Sequence, residues 1–164
     1  MVNTINVEKY SSVHQKQVVD LILQIQQQEY GIPITLEDQP DLLTIEEFYQ
    51  KGNGNFCVAL YEKNVVGTIS FLDIENHQLA LRKMFVDKSY RGSTYNTASL
   101  LLHTAINWAK HRPVKEVYLG TTLQFIAAHR FYEKNGFISI EMNDLPESFP
   151  VLQVDKKFYK YGIE

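Results

Sequence analysis

Cysteine is almost absent from the sequence: Cys57 is the only one in 164 residues, so no internal disulfide can form. Its neighbours Phe56 and Val58 are apolar, which predicts a buried thiol and a poor nucleophile. The expected compartment is reducing, namely cytoplasmic. No apolar run approaches the roughly 18 residues needed to cross a membrane, and the amino terminus MVNTINVEKY has no apolar signal core. Positive charge is not in excess: 16 Lys and Arg against 19 Asp and Glu leave a net charge of −3, with no basic stripe for nucleic acid. Neither a membrane nor a nucleic acid is an expected partner. No pair of His, Cys, Asp or Glu has zinc-site spacing, so no metal is expected. There is no G-x-S-x-G, no internal repeat and no low-complexity tract, the glutamine cluster between Gln24 and Gln28 being too short to count as one.

What remains is an ordinary globular composition, 45% apolar and 21% charged, at a length that suits one domain over 1–164 with a substantial core. Ile5 to Tyr10 alternates as a first strand, and Ser11-Ser12 are candidate caps for a helix with Val18, Leu21, Ile22 and Ile25 on one face. That helix should end near Gly31-Ile32-Pro33, and Thr44-Ile45-Glu46-Glu47 reads as a capping box opening a short second helix. Three strands follow, Phe56 to Tyr61, Val65 to Ile74 and His77 to Val86, joined by hairpins at Glu62-Lys63-Asn64 and Glu75-Asn76. A helix over about Asn96 to His111 stops before Pro113, and Val114 to Gly120 is a fifth strand. A last helix ends at Asn135-Gly136, a good αL cap pair, before two closing strands at Phe137 to Ile140 and Val151 to Tyr159.

Function is concentrated in Met84 to Leu102, where an apolar strand end, a polar turn with Arg91-Gly92 and a helix start follow one another. A strand feeding a glycine turn and a helix leaves several N–H groups unpaired and pointing one way, with the helix dipole adding positive charge. Such a corner binds anions. The turn alone is not specific, because it lacks the GK[ST] ending of a nucleotide P-loop and the three-glycine dinucleotide fingerprint. A second stretch, Ala127 to Phe137, adds specificity.

Together the two stretches resemble the GNAT superfamily of acyl-CoA-dependent N-acyltransferases. Members carry V-x-x-x-x-R-G-x-G-x-G/A-x-x-L-L after the fourth strand and A-x-x-x-Y-x-x-x-G-F later. Val86 to Gly92 matches the opening of the first pattern, and Ala128, Tyr132, Gly136 and Phe137 match the second. Aligned without a gap, Thr94 and Asn96 replace the two glycines. With a loop two residues longer, Asn96 takes the first glycine position, Ala98 the Gly/Ala position and Leu101-Leu102 the leucine pair. The second register is preferred, since Asn tolerates φ > 0 better than other non-glycine residues.

The resemblance implies an α+β fold with a mixed, mostly antiparallel sheet of about seven strands and about four helices. It implies acetyl-CoA as co-substrate, with cofactor contacts from Met84, Phe85, Val86, Arg91, Gly92, Ser93, Thr94, Tyr95, Asn96, Thr97, Phe125 and Ala128. Phe125 stands where many relatives carry an Asn, so that side-chain contact is missing. Arg91 is either a phosphate ligand or a surface cation. The acceptor would be a small-molecule or peptide amine attacking the thioester directly, with the oxyanion held by a strand N–H near Phe85 and Tyr132 as general acid. The plainer reading of Tyr132 is a packed aromatic with a hydrogen-bonded hydroxyl. No general base stands where relatives place one, at Ala80 or Arg82; Glu75, His77 and a water chain to a carboxylate remain open. Glu29, Glu37, Asp38, Asp41, Glu46 and Glu47 fall between Glu29 and Gln50 with no Lys or Arg, either a solvated acidic loop or a field drawing in a cationic amine. His129 is expected near the cofactor-facing end of its helix. A homodimer is compatible with the sequence. The rival reading is a catalytically weakened acyl-CoA-binding sensor or interaction module on the same fold.

Overall fold

A computed structural model describes residues 4–164. The strands are β1 (Asn6–Lys9), β2 (Asn55–Tyr61), β3 (Asn64–Asp73), β4 (Gln78–Val86), β5 (Glu116–Thr121), β6 (Ile138–Ile140) and β7 (Lys157–Gly162). The α-helices are α1 (Gln15–Leu23), α2 (Ile45–Tyr49), α3 (Thr97–Lys110) and α4 (Ile126–Lys134), and α1 continues as a π-helical stretch over Gln24–Glu29. One sheet holds all seven strands in the order β1-β2-β3-β4-β5-β7-β6, antiparallel except where β4 runs parallel to β5.

Strand alternation sorts the core into two layers. Cys57 and Ala59 of β2 face the layer of Leu101, Leu102, Ala105 and Ala109 from α3, which also holds Leu79, Leu81, Val117, Leu119 and Tyr132. Phe56, Val58 and Leu60 face the opposite layer, where α1 supplies Val18, Leu21 and Ile22 and α2 supplies Ile45 and Tyr49. A strand buried on both faces needs apolar residues at every position, which is how FCVAL reads. Burial pushes the Cys57 thiol up to about 11, as expected of a structural cysteine.

Two local expectations fail. The capping box at Thr44 is not made: Thr44 sits at φ −138°, ψ 45° with no side-chain cap bond, because a 3-10 turn over Pro40–Leu43 runs straight into α2. The closing strand begins at Lys157 rather than Val151. Asp155 ties that stretch into a turn instead, accepting the Leu152 N–H on its carboxylate while its own N–H donates to the Leu152 carbonyl.

The decisive irregularity is in β4. Ser70 pairs with Arg82 and Thr68 with Phe85, so Ile69 alone faces both Lys83 and Met84. Lys83 is the extra residue, at φ 53°. The displaced carbonyls are caught by β3: the Thr68 hydroxyl donates to Lys83 O and the Ser70 hydroxyl to Arg82 O, each at 2.6 Å. Leu81 keeps its place in the α3 layer, whereas the Lys83 ammonium reaches Gln39 and Asp41 beside α2. Adjacent residues Arg82 and Lys83 therefore share a face that regular alternation would deny one of them.

Candidate active site

Beyond Ala80 and Tyr118 the pairing of β4 with β5 stops, and the two strands diverge. The gap opens into a cavity of about 370 Å³ bordered by Leu81–Val86 of β4, Leu119–Thr121 of β5, Ala127, Ala128, Phe131 and Tyr132 of α4, and the turn at Arg91-Gly92. Its other walls come from Ile25, Gln26 and Tyr30 at the end of α1, and from Phe149, Pro150, Leu152, Val154 and Asp155 ahead of β7.

Of the residues singled out in the sequence, Met84, Phe85, Val86, Arg91, Gly92, Phe125, Ala128 and Tyr132 border this cavity. Ser93, Thr94, Tyr95, Asn96 and Thr97 do not. Thr97 is buried and donates its hydroxyl to Tyr90 O at 2.9 Å, and Tyr95 packs on Tyr61 and Tyr90. Asn96 lies at φ 57°, in the left-handed region, one residue before α3 begins. The phenyl ring of Phe125 meets Tyr30 edge-on at 4.7 Å and Phe85 at 6.2 Å.

Tyr132 is 5% exposed, and its hydroxyl has no hydrogen-bond partner among the described residues. Burial, with Tyr159 beside it, raises its pKa far beyond the ordinary phenol range, so it stays a proton donor. The position follows from its helix end. Phe137 N–H donates to Tyr132 O and Gly136 N–H to Glu133 O, a Schellman closure that places Gly136 at φ 93°.

Arg91 is not a free cation. It makes a two-pronged pair with Glu29, at 2.5 and 2.7 Å, and its Nε donates to Val86 O at 2.9 Å. The hydrogen bond from Arg91 lowers the Glu29 pKa. Of the six carboxylates between Glu29 and Gln50, none borders the cavity. Glu29 is committed to Arg91, and Asp41 accepts the Tyr49 hydroxyl at 2.6 Å and stands 3.7 Å from Lys83. Glu75 and His77 lie in the turn before β4 and do not border the cavity either; His77 Nδ1 is 2.8 Å from Pro113 O. His129 Nε2 lies 2.8 Å from Thr122 O, also outside the lining.

Three cavity residues had gone unnoticed in the sequence. Lys83 is 8% exposed and donates to Gln39 Oε1 at 2.5 Å; burial pulls its pKa down to about 8, with Asp41 opposing. Asp155 is 6% exposed, and burial raises its pKa against the pull of the Leu152 N–H, Arg82 and Lys83. Thr122 carries a fully enclosed hydroxyl oxygen without a hydrogen-bond partner among the described residues. Only the charged pair Arg82-Lys83 inside an apolar strand was a signal available beforehand.

The model of the acetyltransferase (GNAT) family matches residues 19–137. The chain belongs to the GNAT acetyltransferase family. A solved GNAT-family acetyltransferase from Staphylococcus aureus Mu50 is 40% identical, covers 98% of this chain and 100% of its own, and superposes with a TM-score of 0.94. N-acetylaspartate synthetase of Xenopus tropicalis is 37% identical over 99 residues, which is 59% of this chain and 36% of that protein. The chain thus spans about a third of the length of that curated relative. The PaiA N-acetyltransferase of Thermoplasma acidophilum, solved in complex with coenzyme A, shares the fold at 16% identity and a TM-score of 0.74 over 97% of this chain and 99% of that one. The α+β architecture with seven strands and four helices is the GNAT architecture.

Proposed function

We propose that the protein transfers an acetyl group from acetyl-CoA to a primary amine, with Tyr132 as the general acid. The observation carrying this reading is the partnerless Tyr132 hydroxyl on the wall of a cavity opened by the diverging β4 and β5. The residues present suit a pantetheine thioester. Among the described residues the β5-facing edge of β4 has no strand partner from Leu81 onward, and it can hold an extended amide arm as one more strand would. The unsatisfied Thr122 hydroxyl asks for a ligand hydrogen bond, and Ala128, one turn before Tyr132, leaves room beside the phenol. Gly92, Ser93, Thr94, Tyr95 and Thr97 offer backbone N–H groups toward a diphosphate at the head of α3, the Asn96 N–H being taken by Gly92 O at 3.0 Å. An amine acceptor is supported by the relatives, since N-acetylaspartate synthetase by its name forms an N-acetylated amine.

Acetyl-CoA supplies an activated acyl group and a thiolate that must be protonated as it leaves. A β4 N–H near Phe85 stabilises the developing oxyanion, and Tyr132 gives its proton to the sulfur. No acyl-enzyme forms, because Cys57 is buried away from the cavity. Replacement of Tyr132 by Phe tests this: turnover of acetyl-CoA with a responsive amine, followed by thiol release, should fall about a hundredfold or more while the calorimetric affinity for coenzyme A holds. Unchanged turnover removes Tyr132 from the mechanism. No heat with coenzyme A removes the reading altogether.

A further inference from the structure

Two opposite charges stand on the cavity wall, neither of them in a contact ion pair among the described residues. Arg82 has no carboxylate oxygen within 4.0 Å among the described residues. Its guanidinium lies 5.6 Å from the Phe48 ring and 5.9 Å from the Tyr49 ring. Among the described residues Asp155 accepts one hydrogen bond on its carboxylate, from the Leu152 N–H at 3.1 Å, and none from a side chain. Its neighbour in the wall is Gly120, where an added Cβ would lie 2.7 Å from Asp155 Oδ2, so the carboxylate sits directly against β5 at the mouth of the fork. Lys83 differs from both, being held by Gln39 and Asp41.

Burying a charge without a contact partner is costly, which bears most on the buried Asp155 and less on the half-buried Arg82. The two groups line one cavity and attract one another through space, but no contact ion pair joins them among the described residues. A ligand that carries both charges satisfies both.

We propose that Arg82 and Asp155 form the acceptor subsite, and that the acceptor is a free α-amino acid, its carboxylate on Arg82 and its ammonium on Asp155. The inference rests on the acetyltransferase reading above and names the substrate class of that same site. Guanidinium and carboxylate match as a two-pronged, charge-assisted pair. Phe149, Pro150, Leu152 and Val154 supply an apolar wall for the side chain of the amino acid. A peptide amine does not meet the requirement, because an amide replaces the carboxylate that Arg82 would hold.

Asp155 is then also the proton acceptor that the sequence left open. It takes one proton from the bound ammonium, and the freed nitrogen lone pair forms the C–N bond to the acetyl carbon. The C–S bond breaks, and Tyr132 protonates the sulfur. The second proton lost from nitrogen restores Tyr132, and Asp155 releases its own to solvent. The raised pKa of Asp155 suits this part.

The test uses the full chain, acetyl-CoA, the standard α-amino acids and their carboxamides. Thiol release gives kcat/KM, and calorimetry on the protein saturated with coenzyme A gives acceptor binding. At least one amino acid should be acetylated, with its carboxamide poorer by about tenfold or more. Arg82→Gln should erase that preference through KM, Arg82→Lys should restore part of it, and Asp155→Asn should lower kcat with little change in KM. Coenzyme A affinity should be the same in all three variants, which also reports that they fold. Carboxamides or simple alkylamines used as well as amino acids would overturn the proposal while leaving the acetyltransferase reading intact, as would an Arg82→Gln protein that keeps the preference. Arg82-dependent binding of an amino acid without turnover would support the subsite and sink the transferase reading.

Discussion

Lys83 gives the sharpest physical prediction, because its titration is linked to folding. Its side chain is 5% exposed, so solvent screens it little, and burial outweighs the help of Asp41 to bring its pKa from 10.5 to about 8. The unfolded chain therefore binds the Lys83 proton more tightly than the folded one. Below about pH 7 folding carries the full penalty, on the order of 3 kcal/mol, and the penalty fades as pH rises from 8 through 10.5. From pH 7 to pH 10 the Lys83 contribution should recover most of that stability, roughly 2 to 3 kcal/mol. Tyr49 and Tyr132 have raised pKa values and act in the opposite direction near the top of that range, so the wild type must be compared with a chain lacking only this titration. Lys83→Met preserves the length of the side chain and removes the proton. Urea unfolding at half-unit steps of pH should give two curves that draw apart from pH 7 to pH 10, with the wild type gaining on the variant. Parallel curves would show that Lys83 titrates as an ordinary lysine, and the dry, bulged environment assigned to it would be wrong.

Thr122→Val should separate stability from binding. It removes a buried hydroxyl that has no partner, so the free protein should be more stable by about 1 kcal/mol in thermal unfolding, while coenzyme A binds several-fold more weakly by calorimetry. A variant that binds coenzyme A as well as the wild type would take Thr122 off the cofactor path. Gly136→Ala should cost about 1 to 2 kcal/mol in urea unfolding, since φ 93° is strained for an L-residue and the added Cβ would approach the Tyr161 ring at 3.3 Å. The same change should loosen the end of α4 and lower turnover more than coenzyme A affinity, because Tyr132 O anchors that turn.

Features carried by local chemistry were legible. Alternation marked the buried strands, and Asn135-Gly136 marked the end of α4 through a backbone closure that needs only a left-handed residue. Asn96 was readable as a stand-in for glycine, because Asn is among the few residues that occupy φ 57° at small cost. The lapses have one physical origin, which is that partners distant in sequence decide the outcome. Glu29 and Arg91 lie 62 residues apart, so nothing near Arg91 announced that its guanidinium is held. Val151 to Lys156 reads as the start of the closing strand, with three apolar residues in four, but Asp155 closes it into a turn.

The bulge shows most clearly what a pattern cannot carry. Lysine has no preference for φ 53°, so no residue at position 83 signals the extra step. The support comes instead from β3, where Thr68 and Ser70 place two hydroxyls under the displaced carbonyls. Without that step Lys83 would point into the α3 layer, among Leu101 and Leu102, where a charge has no partner. With it, Arg82 and Lys83 lie on one face beside Asp41 and Tyr49, on the strand that parts from β5 beyond Ala80. Opening the cavity and charging its wall are thus features of the same irregular stretch of β4. A substitution at Thr68 or Ser70, though neither borders the cavity, should disturb coenzyme A affinity and acceptor preference together.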